Sequence, residues 1–456
     1  MNVLQFVKIG EHKGVSRVYF DGMRLANAFA AGDFYRLRLN DSGSVSIVKA
    51  KQGRKVSRRK KGERVNPVID CRHSVWSSLF KVGDTLRAVI RAGEIILSRP
   101  HQDKRQTERE QRLTQKAQRG GKLSIASLCS GAGVMDAAII NGLSSANVKS
   151  TIKLSIERDG DLTDLTLANQ SDHFDRDTTV IHGNLEQVDF NHTHHHADML
   201  VAGLACTGAS IAGRTKNKLQ HAEQHDSAGA LFYYFLRAVD SLNPAIVLLE
   251  NVPSYENTAS FAVIKTVLAN LGYRLSFQTM NGNDYNAIEG RERLVMLAVS
   301  NGLGEVDLDA IPTTPNTRTI NDIKERVDND SQRWKHYDHL KQKAVRDKAA
   351  GKGFARKLLT GEETTAPTVR AGYQKAGSCD PYLVHPLDTN KSRLFTAIEH
   401  CRLKGIPSAL FAGASESLTH RGAGQSVIFP LFETIGRYLG QWLQSPLQLN
   451  ENLTAA

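Results

Sequence analysis

Residues 200–204 form an apolar run that passes into a string of small side chains, residues 205–213, in which one cysteine, Cys206, is presented. A run this short and apolar, closed by small residues, suits a buried strand of an α/β sheet. Residues 246–249 repeat the pattern and end in Glu250 and Asn251. A thiol and a carboxylate at two strand ends suit attack on an aromatic carbon with proton transfer close by. Free cysteines are also among the most buried and inert residues, so spacing alone leaves Cys206 open between nucleophile and core.

The same alternation runs through the middle of the chain. Residues 122–129 read as a strand, 130–133 as a turn holding Gly131 and Gly133, and 134–140 as the start of a helix. Glycines there let the backbone approach a ligand at the sheet edge. With one Gly-x-Gly and no lysine, the turn is not a P-loop. A second strand, 151–156, is followed by Glu157, which suits a ribose diol or a surface cap equally. A third, 179–181, is followed by Gly183 and Asn184, an amide that can bond a purine edge. His192, His194, His195 and His196 lack the cysteine or carboxylate companions of a metal site and read as a polar loop.

With 456 residues the chain suggests two or three domains. A formal charge of +12 points to a polyanionic partner, nucleic acid first. Five cysteines with no Cys-x-x-Cys pair indicate a reducing compartment, neither a disulfide framework nor structural zinc. The N-terminus lacks a signal-peptide pattern, and no apolar run reaches membrane-spanning length.

Residues 1–98 are rich in short β-like runs separated by glycine and Asn/Asp turns. They contain an internal echo. Ala28 and Phe29 ahead of Gly32 and Asp33 recur as Leu79 and Phe80 ahead of Gly83 and Asp84. Two related halves folding into one small barrel is the economical reading. Between the halves lies a run with eight positive charges against one negative, including Arg54, Lys55, Arg58, Arg59, Lys60 and Lys61. It is either a solvated loop or a phosphate-contacting one. Residues 99–122 read as a basic linker or a solvent-bathed helix.

Taken in order, these stretches resemble the motifs of DNA (cytosine-5) methyltransferases, over roughly 123–300 and 363–443. Leu128, Cys129, Gly131 and Gly133 resemble the first glycine motif, Glu157 the ribose-binding acid, and Gly183 with Asn184 the adenine contact. Cys206 stands at the nucleophile's position. Glu250, Asn251 and Val252 match the Glu-Asn-Val motif unchanged, and Arg291 with Arg293 the paired arginines. Ala366 to Thr368, the stretch from Arg393 to Pro407, and Gln425, Ser426 and Val427 resemble the last motifs, which complete the cofactor pocket. Departures occur at Ser127, Cys129, Ala205, Thr207, Ala209, Glu289 and Gln425.

The resemblance implies an α/β, Rossmann-like S-adenosylmethionine-dependent methyltransferase core with a small target-recognition region, joined to the N-terminal mainly-β, barrel-like domain. The implied division is 1–98 accessory domain, 99–122 linker, 123–302 catalytic core, 303–365 target recognition, 366–445 completing motifs, and 446–456 tail. It implies Cys206 as nucleophile, Glu250, Arg291 and Arg293 around the base, and S-adenosylmethionine as methyl donor. The partner would be double-stranded DNA, bound by a monomer in a prokaryotic, phage or plasmid-type cytoplasmic setting. Arg214 and Lys216 on the loop after the cysteine, and Arg356 and Lys357 in the recognition region, join the N-terminal cations as candidate DNA contacts. An RNA cytosine-5 methyltransferase, or a non-catalytic DNA-binding protein on the same fold, are the alternatives.

Overall fold

The computed structural model describes residues 2–41, 43–190, 196–205, 221–225, 229–351 and 354–445, with Lys61 by its backbone alone. The described residues divide into two compact units between Thr107 and Glu108.

The first unit is mainly β. Its strands are β1 (Val3–Lys8), β2 (Gly10–His12), β3 (Val15–Asp21), β4 (Phe34–Leu39), β5 (Val45–Ala50), β6 (Arg54–Lys55), β7 (Ser57–Lys61), β8 (Arg64–Arg72), β9 (Thr85–Arg91) and β10 (Glu94–Ser98). Two short helices, α1 (Met23–Ala26) and α2 (Ser74–Leu79), join them. One sheet runs β1-β9-β10-β5-β4-β6 and the other β2-β3-β8-β7. All pairings are antiparallel. Alternate residues such as Val18, Phe20, Leu86, Ala88 and Ile90 are buried together, around a fully buried Trp76 whose indole N–H donates to the Cys71 carbonyl at 3.0 Å. Period-two patterning is clearest in β3, β9 and β10, which bury alternate residues on one face and leave the other more open to solvent.

The second unit begins inside α3 (His101–Gln118). Of the two readings of this stretch, a basic linker or a solvent-bathed helix, the helix is present, but its C-terminal half is packed on the core rather than bathed in solvent. The side chains of Arg109, Glu110 and Leu113 are buried. Arg109 donates to the carbonyls of Leu271 and Gly272 at 2.7 and 3.0 Å and lies 3.9 Å from the Tyr273 ring centroid. Arg112 and Lys116 both pair with the buried Asp198. The sequence looks polar because the helix is anchored by charge-assisted bonds to carbonyls and a carboxylate, which hydropathy does not register.

The core strands are β11 (Leu123–Leu128), β12 (Ser150–Glu157), β13 (Phe174–His182), β14 (Met199–Gly203), β15 (Ile246–Asn251), β16 (Tyr273–Asn281) and β17 (Glu292–Ser300). They lie in the order β13-β12-β11-β14-β15-β17-β16. The first five are parallel, and β17 runs antiparallel to both its neighbours. Because both faces are covered at the centre of the sheet, β14 and β15 are apolar up to their C-terminal ends, whereas the edge strands β13 and β16 carry many polar residues. Ile125, Val201, Leu248 and Leu297 point to one face, packed by α4 (Val134–Ser145) and α11 (Phe429–Gln444). Ala126, Ala202, Leu249 and Met296 point to the other, packed by α6 (Leu231–Leu242) and α7 (Ala259–Asn270). Helices α4 and α11 cross on glycine: a Cβ added at Gly436 would lie 2.5 Å from the Ile139 carbonyl oxygen.

The remaining helices are α5 (Gly160–Asn169), α8 (Asp338–Ala349), α9 (Ala397–Leu403) and α10 (Glu416–Gln425), and a small sheet joins β18 (Lys357–Leu359), β19 (Pro381–Val384) and β20 (Ser392–Arg393). Helix α9 opens on a capping box, Thr396 with Glu399, and Glu399 also clamps the buried Arg393 in a two-pronged ion pair at 2.6 and 2.7 Å. No described helix is long and apolar enough to cross a membrane.

Candidate active site

The parallel strands all end on the same edge, and the turns leaving them build one cavity. Strand β11 runs into a turn with three left-handed residues in five: Cys129 (φ 57°), Gly131 (φ 58°) and Gly133 (φ 68°), the last being the N-cap of α4. Two of the three are glycines because a Cβ is unfavourable there. The Gly131 N–H donates to Glu157 at 2.8 Å, and the other oxygen of that carboxylate accepts the N–H groups of Arg158 and Asp159, each at 2.9 Å. The acid at the end of β12 is thus held rigidly by backbone donors. A Cβ at Gly131 would meet nothing within 4 Å among the described residues, so the turn is open there. Burial pushes the Cys129 thiol up to about 12, so it stays protonated and serves as a small apolar wall.

The cavity measures about 380 Å³ and extends from this turn past Asn184 to the ends of β14 and β15. In the same cavity Glu250 pairs with Arg293 at 2.7 Å, each side chain 12% exposed. Arg291 also lines it, 3.6 Å from Glu289. Glu289 is in turn 2.7 Å from Lys404, and both of these side chains are wholly buried. Burial and the nearby Arg291 pull the Lys404 ammonium down to about 7, against the opposing pull of Glu289. The backbone repeats these links. The N–H of Glu289 donates to the Leu403 carbonyl and that of Gly290 to the Ala366 carbonyl, each at 2.9 Å. The segments around Ala366 and α9 therefore hold the paired-arginine loop in place.

Of the residues singled out in the sequence, Cys129, Gly131, Glu157, Asn184, Glu250, Arg291, Arg293, Gln425, Ser426 and Val427 share the lining of this cavity. Leu128 is fully buried beneath the turn and Gly133 caps α4 behind it; neither lines the cavity. Cys206, Arg214, Lys216 and the histidines at 192, 194 and 195 lie outside the described residues, as does the tail from 446. Leu185, next to Asn184 in the adenine-contact motif, lines the cavity too; sequence reasoning missed Met135, Asp159 and Ala371, which also line it. Met135 and Asp159 follow strand-end turns and could have been found there; Ala371 carried no signal. It approaches because Gly424 leaves room: a Cβ on Gly424 would overlap the backbone of Arg370 and Ala371. A second unforeseen pair sits behind the turn. The Ser127 hydroxyl lies 2.8 Å from both oxygens of the buried Asp136, whose carboxyl burial raises to about 7.

The candidate DNA contacts fare unevenly. Lys55, Arg58, Lys60 and Lys357 are exposed. Arg59 is exposed and pairs with Asp21 at 3.3 Å. Arg54 donates to the Arg72 carbonyl. Arg356 donates to Ser392 at 2.9 Å with its guanidinium 5.4 and 5.9 Å from the rings of Tyr382 and Tyr337, so it is built into the structure of its region.

Residues 123–441 match the family model described as C-5 cytosine-specific DNA methylase. The type II methyltransferase M.SsoII of Shigella sonnei is 28% identical over 258 residues, 54% of this chain and 65% of its own length. M.NlaX of Neisseria lactamica is 27% identical over 265 residues, 56% of this chain and 80% of its own. The crystal structure of S. pombe Dnmt2 methyltransferase superimposes with a TM-score of 0.55 at 19% identity, covering 72% of this chain and 100% of that one, a likeness of fold.

Proposed function

The chain belongs to the C-5 cytosine-specific DNA methylase family, and from that premise we propose that it methylates carbon 5 of cytosine in double-stranded DNA. One observation carries the reading: the glycine turn with Glu157 and the Glu250–Arg293 pair face a single cavity, so a cofactor and a base bound there would meet.

S-adenosylmethionine is the methyl donor of this family, and when bound it supplies an electrophilic methyl group. The residues present fit it. The open glycine turn takes the ligand's backbone-facing edge, the Glu157 carboxylate suits ribose hydroxyls, and Asn184 suits a purine edge. Gln425, Ser426 and Val427 line the same cavity.

The substrate atom is hidden in a duplex, so the cytosine must be flipped out to enter the cavity. Carbon 5 of cytosine is a weak nucleophile until a thiolate adds at carbon 6. Cys206, three residues past the end of β14 in sequence, is assigned that role. Glu250 would hold N3 in the protonated or strongly hydrogen-bonded state that eases addition, and Arg293, already fixed by Glu250, would bind the carbonyl oxygen. Arg291 is assigned to supporting the loop or a phosphate.

Incubation with S-adenosylmethionine labelled in its methyl group, offered duplex DNA or RNA, tests the reading. Label in DNA alone, mapped to cytosines by bisulfite sequencing, is the expected result. Label in RNA alone would move the substrate, and label in neither would leave a binding protein on a methyltransferase fold.

A further inference from the structure

The first unit is a duplication, and its two copies differ most in length and charge together at one hairpin. Tyr19 of β3 lies opposite Asp70 of β8, and Ser46 of β5 opposite Ile96 of β10. Partners 51 and 50 residues apart match the spacing of the two Gly-Asp turns, so equivalent residues face each other across a pseudo-twofold axis. The turns agree in detail. Gly32 and Gly83 have φ of 97° and 96°, and Asp33 and Asp84 each accept the backbone N–H three residues back at 2.8 Å. Val56 N–H donates to the Asp33 carbonyl at 2.7 Å, as Ile9 N–H does to Asp84 at 2.8 Å.

The hairpins that follow Ile9 and Val56 are therefore counterparts. In the first, His12 faces Val15 across two residues, Lys13 and Gly14. In the second, Arg59 faces Asn66 across six, Lys60 to Val65. Glu11 and His12 are replaced by Arg58 and Arg59, and the insertion adds Lys60, Lys61 and Arg64 against one acid, Glu63. Arg58, Lys60 and Arg64 are exposed. The core of the duplication needs neither the extra length nor the charge, because its first copy holds the same strand pairing without them.

Charge over the whole chain points the same way. Residues 1–107 hold 22 of 59 Lys and Arg but 9 of 47 Asp and Glu, net +13; residues 108–456 hold 37 against 38, net −1. The catalytic unit contributes nothing to the positive excess. We propose that the extended hairpin β7–β8 is a docking element for the phosphate backbone of duplex DNA, distinct from the base-flipping cavity. The choice of DNA rests on the function proposed above; the hairpin's geometry does not. Exposed cations of this kind contribute affinity and position without reading sequence.

The test uses the full chain and a duplex of A·T pairs alone, which offers no cytosine to the catalytic cavity. Binding is measured across a salt series for wild type, for R58Q/K60Q/R64Q, and for K13Q/R24Q/K81Q, which removes three exposed cations elsewhere in the unit. The hairpin variant is expected to lower the slope of log K against log salt by up to roughly 2.7, about 0.9 per phosphate contact, and the control far less. An unchanged slope in the hairpin variant, or an equal loss in the control, overturns the proposal. So does a loss confined to an RNA duplex of equal length. Methyl transfer to a cytosine-bearing duplex is followed in the same preparations. Its absence beside intact, hairpin-dependent binding refutes the catalytic reading and leaves the docking element standing.

Discussion

Lys404→Met is the substitution whose consequence the structure specifies most fully. Lys404 and Glu289 are wholly buried and 2.7 Å apart, and the second Glu289 oxygen has no hydrogen-bond partner among the described residues. Removing one member of such a pair typically costs about 3–5 kcal/mol, because a buried carboxylate is left behind. Arg291 remains 3.6 Å from that carboxylate, so the lower end applies, about 3 kcal/mol. In a unit of this size that corresponds to a fall of roughly 6 °C in Tm. The stranded Glu289 is expected to draw Arg291 toward itself and away from the cavity, so kcat should fall as well. The double variant E289Q/K404Q, neutral on both sides, should recover most of the stability. The pH dependence adds a second reading. Unfolded, Lys404 binds its proton up to about 10.5; folded, only to about 7. Between those values the unfolded chain binds more protons, so this residue makes wild type gain stability as pH rises from 7 toward 10, a gain absent in the variant. Calorimetry of the three proteins at several pH values is the assay. A Lys404→Met protein as stable as wild type, or a double variant worse than the single one, would refute the reasoning.

Glu250→Gln should slow single-turnover methyl transfer by about 10²-fold or more while leaving S-adenosylmethionine affinity nearly unchanged, since it keeps the shape and removes the charge beside Arg293. A binding defect with normal chemistry would reassign it. Glu157→Ala should weaken S-adenosylmethionine binding by titration calorimetry, because the cavity loses its carboxylate and the N–H groups of Gly131, Arg158 and Asp159 lose their acceptor; an unchanged Kd would contradict this. Asp136→Asn should flatten the decline in stability between about pH 4 and 7. The folded carboxyl holds its proton to about 7, so its contribution is full at low pH and lost as pH rises through that value. Equal pH profiles for both proteins would show that Asp136 is not buried as a neutral acid.

The catalytic sheet was legible because doubly covered strands leave continuous apolar runs, as in 199–202 and 246–249, and glycine turns punctuate them. The cavity's lining was legible where a motif put a distinctive residue at a strand end, as with Glu157 and Glu250. What escaped the sequence was polar burial. Arg109 and Glu110 look like solvent-facing residues of a charged helix, yet their partners are backbone carbonyls and amides more than a hundred residues away. Lys404 looks like an exposed lysine near a helix end, and only the fold brings Glu289 to it across 115 residues. The N-terminal echo was visible in the two Gly-Asp turns, but its twofold meaning needed the strand register.

Covalent trapping tests the central claim most directly. Duplex DNA carrying 5-fluorocytosine, incubated with the protein and S-adenosylmethionine, should stall as a stable adduct, because fluorine cannot leave carbon 5 as the proton does. Mass spectrometry is expected to place the modified cytosine on Cys206, and Cys206→Ala should form no adduct. Attachment to Cys129 or another cysteine, or methyl transfer that persists in Cys206→Ala, would contradict the account.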